Sequence, residues 1–258
     1  GNIVGSVHLD SPKVNFVDGP TEAASQLKVQ KEWQDVVSDL TPLRINQFKV
    51  INGELHFVSP HRTPKVDMVI QDIQVNARNL SNAKEKDEEY FSSIELTGKM
   101  PGNGKLEMRA KANPLTKPLP SFRLAAEIRG MQLTALNDFL RAYGSFDVNR
   151  GKFDFFFEMD STPTKYSGYA KPLLTDIDVL DWEKDSKHQN IFQIAWEAIV
   201  GTVGSVFKNQ PKDRIATKVP FSGTWKKTDV NLFETVITLW TNAFVKALVP
   251  GFEKGSNR

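Results

Sequence analysis

Apolar and polar residues alternate along most of this chain, the period-2 pattern of strands with one buried face. The opening run, residues 3–10, already reads like the middle of a sheet, and Val14 and Phe16 follow a Ser11-Pro12 turn. Leu43 to Ile45 open a strand that reaches Phe48 and Val50. Asn52-Gly53, a strong hairpin signal, predicts a return through Leu55 and Phe57. Val66, Met68 and Ile70 change phase at Gln71-Asp72 before Ile73 and Val75, which predicts a bulge. A second hairpin is predicted from 91–100 to 105–112, and Phe122, Leu124, Ala126 and Ile128 alternate cleanly. Phe146 and Val148 lead to Gly151, after which Phe153, Phe155, Phe157 and Met159 share one face against Asp154, Phe156 and Glu158. Alternation resumes over 166–180 and again from Ile215 through Phe221 to Trp225.

Four stretches carry helical spacing instead. They are Trp33, Val36, Val37 and Leu40; Leu133, Leu136, Phe139, Leu140 and Tyr143; Phe192, Trp196, Ile199, Val203 and Phe207; and Phe233, Ile237, Trp240, Phe244 and Leu248. Pro250-Gly251 stops the last of them. The expected fold is mainly β within the α+β class: an elongated, curved antiparallel sheet of repeated units forming an apolar groove. About four helices accompany it, two of them long and C-terminal. The final helix is expected to lie across the open side of the sheet and close one end of the trough.

A repeat supports the extended reading. Gly53-Glu54-Leu55-His56-Phe57 resembles Gly151-Lys152-Phe153-Asp154-Phe155, Thr63-Pro64-Lys65 is echoed from Thr162 to Lys165, and residues 69–75 are echoed by 173–179. A strand, glycine turn, strand, proline turn, strand unit used twice predicts one elongated fragment, 1–258. Its sub-units are 1–130, and 131–258 with the C-terminal helices.

Composition narrows the function. Cys is 0, so disulfides, thiolate metal sites and cysteine nucleophiles are excluded. Lys and Arg number 33 against 31 Asp and Glu, a net charge of +2 that gives no drive toward nucleic acid. Phe is 17 while Tyr is 4, so apolar contact that needs no hydrogen-bond partner dominates. The most apolar stretches, 190–207 and 230–249, are interrupted by charges and are too short for a bilayer span. The chain starts at Gly1 without a leader pattern and reads as a piece cut from a longer protein.

The search for chemistry finds no catalytic set. Gly201 to Ser205 lacks the nucleophile-elbow pattern, and Gly102-Asn103-Gly104-Lys105 lacks the spacer, hydroxyl and helix of a phosphate loop. His56 with His61, and Asp176 with Asp178 and Asp181, are the nearest approaches to metal ligands, and neither has a ligand spacing. They read as solvated residues, so no metal, no cofactor and no enzymatic activity are expected. The aromatic face remains. Either helices cover it as plain core, or it lines an apolar trough that binds a partner or a lipid.

Three stretches carry a family resemblance: 48–80 with its Ile-Asn-Gly run, 133–157 with Leu136-Asn137-Asp138-Phe139-Leu140, and 168–173 continuing through 217–223 to the terminal helix. On these residues the chain resembles the AsmA-like proteins of Gram-negative bacteria, in the branch known as domain of unknown function 748. The resemblance implies a periplasmic, bridge-like lipid-transfer protein whose parent is anchored in the inner membrane. It also implies phospholipid transport toward the outer membrane, a role in envelope integrity and outer-membrane biogenesis, and no catalytic residues. The expected ligand is a phospholipid or other acyl-chain lipid, with envelope proteins as further partners. The candidate groove residues are Phe146, Val148, Phe153, Phe155, Phe157, Trp225, Phe233, Ile237, Trp240 and Phe244. The competing expectation is a structural module for outer-membrane assembly, with a filled core and no lipid ligand.

Overall fold

The long alternating runs become long strands in the computed structural model, which describes residues 3–19, 43–81, 92–113, 121–144, 147–180, 214–216 and 218–225. Among the described residues eleven strands form one sheet: β1 (Ile3–Asp10), β2 (Lys13–Val17), β3 (Leu43–Ser59), β4 (Val66–Ser81), β5 (Ser92–Met100), β6 (Gly104–Asn113), β7 (Ser121–Gln132), β8 (Asp147–Ser161), β9 (Lys165–Leu180), β10 (Arg214–Ala216) and β11 (Val219–Thr224). From β3 to β9 the order follows the sequence, and each neighbour is antiparallel. At one edge β1 and β2 lie end to end along β3, both parallel to it; at the other, β10 and β11 lie end to end along β9, both antiparallel. The β7–β8 pairing crosses the expected 130/131 division, so both repeats share this sheet.

The expected α+β fold with about four helices, two of them long, is corrected. Among the described residues the chain is mostly β, with two 3-10 turns (Pro101–Asn103 and Leu133–Leu136) and one α-helix, α1 (Asn137–Gly144). The sheet is also not wholly antiparallel, because its first edge is parallel. Strands of 15–17 residues with a bulge cross the sheet in one pass and need no helix per hairpin. The other three helical stretches, with Phe233, Ile237, Trp240, Phe244 and the expected closing helix, lie outside the described residues.

Asn52-Gly53 is not a hairpin turn either. β3 runs straight through it and pairs with β4 on both sides, Val50 with Val75 and Leu55 with Ile70. Asn52 uses its positive φ of 54° for a bulge instead. The second repeat has the same device. Gly53 stands against Ile73 beside Asp72 (φ 51°), and Gly151 stands against Ile177 beside Asp176 (φ 52°). A Cβ on Gly53 would meet Val50 at 3.0 Å and Ile73 at 3.3 Å, so a larger residue would require those side chains to give by a few tenths of an ångström.

Helix α1 is docked at one end of the sheet. Asn137 receives the Val148 N–H and donates to the Val148 carbonyl, both at 3.0 Å, which pins the helix start to β8. From its last turn Arg141 donates to the buried Asp147 carboxylate. Leu136, Phe139 and Leu140 then bury against Val148 and Phe153, and Phe139 meets Phe57 edge-on at 6.5 Å.

Candidate functional site

Register converts the alternation of single strands into rows across the sheet. One row reads Leu9, Val50, Val75, Leu96, Met108, Ala126, Phe157 and Ala170, each residue directly opposite the next. Its neighbour reads Val7, Phe48, Ala77, Ile94, Ala110, Leu124, Met159, Gly168 and Phe221. No polar side chain interrupts either row. At about 4.8 Å per strand spacing each is about 35 Å long. A single acyl chain occupies about half of a ~30 Å bilayer core, so either row exceeds one chain in length.

The two ends of this stripe differ in cover. Phe153, Phe155, Phe157 and Met159 are each 0% exposed. Phe153 stacks on Phe155 at 5.9 Å, Phe157 stacks on Phe221 at 5.4 Å, and Tyr166 meets Trp225 at 4.6 Å. The Trp225 ring N–H is held by the Thr162 carbonyl at 3.0 Å. Toward β1 the same rows open in part: Phe48, Val75, Ile94, Leu96 and Met108 are half-buried and Leu9 is 41% exposed, while Val50 and Ala77 stay buried at 8% and 2%.

Of the residues expected in the groove, Val148, Phe153, Phe155 and Phe157 therefore pack the closed end, and Trp225 caps its margin. Phe146 lies outside the described residues. The open half is lined by residues that sequence reasoning missed. Their signal was side-chain size: the alternating positions of β6 end in Ala110 and Ala112, while those of β8 are Phe, so one stretch is shallow and the other filled.

A cleft of about 590 Å³ lies at one rim of the sheet. It exists because β5 pairs with β4 only as far as Gln71, so the first residues of β4 have no neighbour on that side. The 101–103 turn and α1 close round the gap. Gly102, at φ 68°, makes that turn possible, because a Cβ there would strike the Gln132 backbone. Met68, Met100 and Phe139 line it from the apolar side, and Lys99, Lys105, Asp67 and Asp138 line the rest.

The opposite face is charged and carries several ion pairs. Arg123 meets Asp160 at 2.7 Å, and Lys13 meets Glu54 at 2.8 Å. Arg129 hydrogen-bonds Glu127 at 2.8 Å and holds its carboxyl below the usual range. Tyr169 donates to Glu158 at 2.6 Å, which pushes the phenol up to about 12. His56 bonds Asp67 at 2.9 Å through Nδ1, while His61 faces Ser59 and Asp18, so each has its own partners. Asp176 occupies its bulge. Among the described residues no three His, Cys, Asp or Glu side chains converge on a metal position, and no helix is long and apolar enough to cross a membrane.

Comparisons with family models, with curated proteins and with solved structures return no match.

Proposed function

We propose that this chain is a non-enzymatic lipid-binding segment, in which acyl chains lie along the open half of the apolar rows. The observation that carries the reading is the unbroken apolar register from Leu9 to Ala170, buried at one end and half-open at the other. Each methylene moved from water onto such a surface gains up to about 0.8 kcal/mol, so a long chain binds without polar contacts. Affinity of this kind tolerates many headgroups. With the AsmA-like resemblance, the proposed role is one span of a periplasmic bridge that carries phospholipid between inner and outer membranes, in a parent anchored in the inner membrane. Mass spectrometry of organic extracts from the purified chain tests this. Co-purified phospholipid, lost in Leu96→Glu, supports it, and clean extracts with no uptake of added lipid refute it.

A second reading has its own observation. Val4, Leu9 and Val14, at 57%, 41% and 46% exposure, lie on the parallel edge strands β1 and β2. Exposed apolar edge strands are templates for strand addition, as an interaction module of the envelope would need. A lipid-free chain that self-associates, and becomes monomeric when Val14 is changed to Lys, would favour this module.

A further inference from the structure

On the charged face, Lys99, Lys105 and Arg129 occupy successive positions of one register row across β5, β6 and β7. Like charges directly opposite each other destabilise a sheet. The outer two are compensated: Lys99 lies 2.6 Å from Asp72, and Arg129 lies 2.8 Å from Glu127. Lys105, between them, has no acidic partner among the described residues. It also borders the rim cleft, together with Lys99. Of the two carboxylates of that cleft, Asp67 is hydrogen-bonded by His56 at 2.9 Å, and Asp138, 68% exposed, lies 3.8 Å from Arg141, whose shorter bonds go to Asp147. Through the gap beyond Gln71 the cleft thus joins an uncompensated cation on the charged face to an apolar floor on the other, of which Met68 is the open part and Met100 and Phe139 are nearly buried.

The geometry points to a binding site at Lys105 for the phosphate of an amphiphile, whose apolar part enters the rim cleft. The site rests on the lipid-binding reading and adds an anionic headgroup subsite to it. Phosphate supplies the missing counter-charge to the Lys99–Lys105–Arg129 row, and the alkyl portion covers the floor. A lipid headgroup and free phosphate share this chemistry, and only the former uses the floor. The turn Gly102-Asn103-Gly104-Lys105 does not act as a phosphate loop, since a strand follows it, and side-chain charge does the holding.

Titration calorimetry with dodecyl phosphate, inorganic phosphate and dodecyl maltoside tests the site, alongside methyl NMR of Met68 and Met100. Dodecyl phosphate is expected to bind and shift both methionine signals. Lys105→Glu and Lys105→Gln should weaken it at least ten-fold and leave dodecyl maltoside unaffected. Lys111→Glu, an equally exposed change on β6, should alter it less than two-fold. Dodecyl phosphate affinity within two-fold of wild type in both Lys105 variants overturns the site. Inorganic phosphate binding as tightly as dodecyl phosphate overturns the amphiphile assignment. Leu96→Glu separates the two proposals. Loss of dodecyl maltoside binding in Leu96→Glu with silent Lys105 variants sinks the cleft and keeps the trough. Sensitivity at Lys105 with a silent Leu96→Glu does the reverse.

Discussion

Phe157 and Leu96 belong to one register row, separated only by Met108 and Ala126, yet truncating the first should cost mainly stability and truncating the second mainly binding. Phe157 is 0% exposed and stacked on Phe221, with Ala126 and Ala170 on either side. Phe157→Ala loses the transfer free energy of the ring and leaves a cavity that β-sheet neighbours cannot close, a cost of about 3–5 kcal/mol. For a domain of this size that lowers Tm by about 6–20 °C. Leu96 is half-buried on the open half, so Leu96→Ala removes about half the buried area of a core leucine and costs about 1 kcal/mol, or about 2–4 °C. Urea unfolding followed by circular dichroism, with m-values compared, gives both numbers. Fluorescent fatty-acid displacement on the same proteins gives the functional half: Leu96→Ala should weaken binding several-fold. Equal stability losses at the two positions, with unchanged ligand binding in Leu96→Ala, would refute the division of the row into a closed and an open end.

Other outcomes follow from particular contacts. Asn137→Ala leaves the buried Val148 N–H and carbonyl without their partner and should cost about 1–3 kcal/mol, read from the urea midpoint. Arg141→Met strands a carboxylate that is 2% exposed and whose Oδ1 has no hydrogen-bond partner among the described residues. The expected loss is about 3–5 kcal/mol, and Asp147→Asn added to Arg141→Met should recover part of it. Tyr169 holds its proton through Glu158, so its contribution is complete below the ordinary phenol range near pH 10 and is lost as pH rises through about 12. Ultraviolet titration should show that late phenolate in wild type and not in Tyr169→Phe, and Glu158→Gln should move it to lower pH. Lys105→Glu relieves repulsion on both sides and should raise stability by about 0.2–1 kcal/mol, a midpoint shift opposite in sign to its expected effect on dodecyl phosphate binding.

Alternation was enough to place most strands and the faces of β8, where the Phe153, Phe155 and Phe157 period leaves no other arrangement, because side chains two apart on a strand share a side. The hairpin of β5 and β6 and the phase shift at Asp72 were readable for the same local reason, and the repeat of 53–57 and 69–75 was readable as a repeat but not as a pairing of Gly53 with Ile73. Turn against bulge was not. Asn52-Gly53 has the φ freedom for either, and only the pairing of β4 along both halves of β3 selects the bulge. Nor does a strand's period say how deep its apolar face lies. Phe155 and Met108 both sit at alternating positions, but one is sealed by neighbours and the other half-open, and those neighbours come from strands distant in sequence. The rows themselves, and the uncompensated Lys105 between Lys99 and Arg129, arise from inter-strand register. Register is a property of pairs of strands, set by bulges and turn lengths acting together, and no single run of residues contains it.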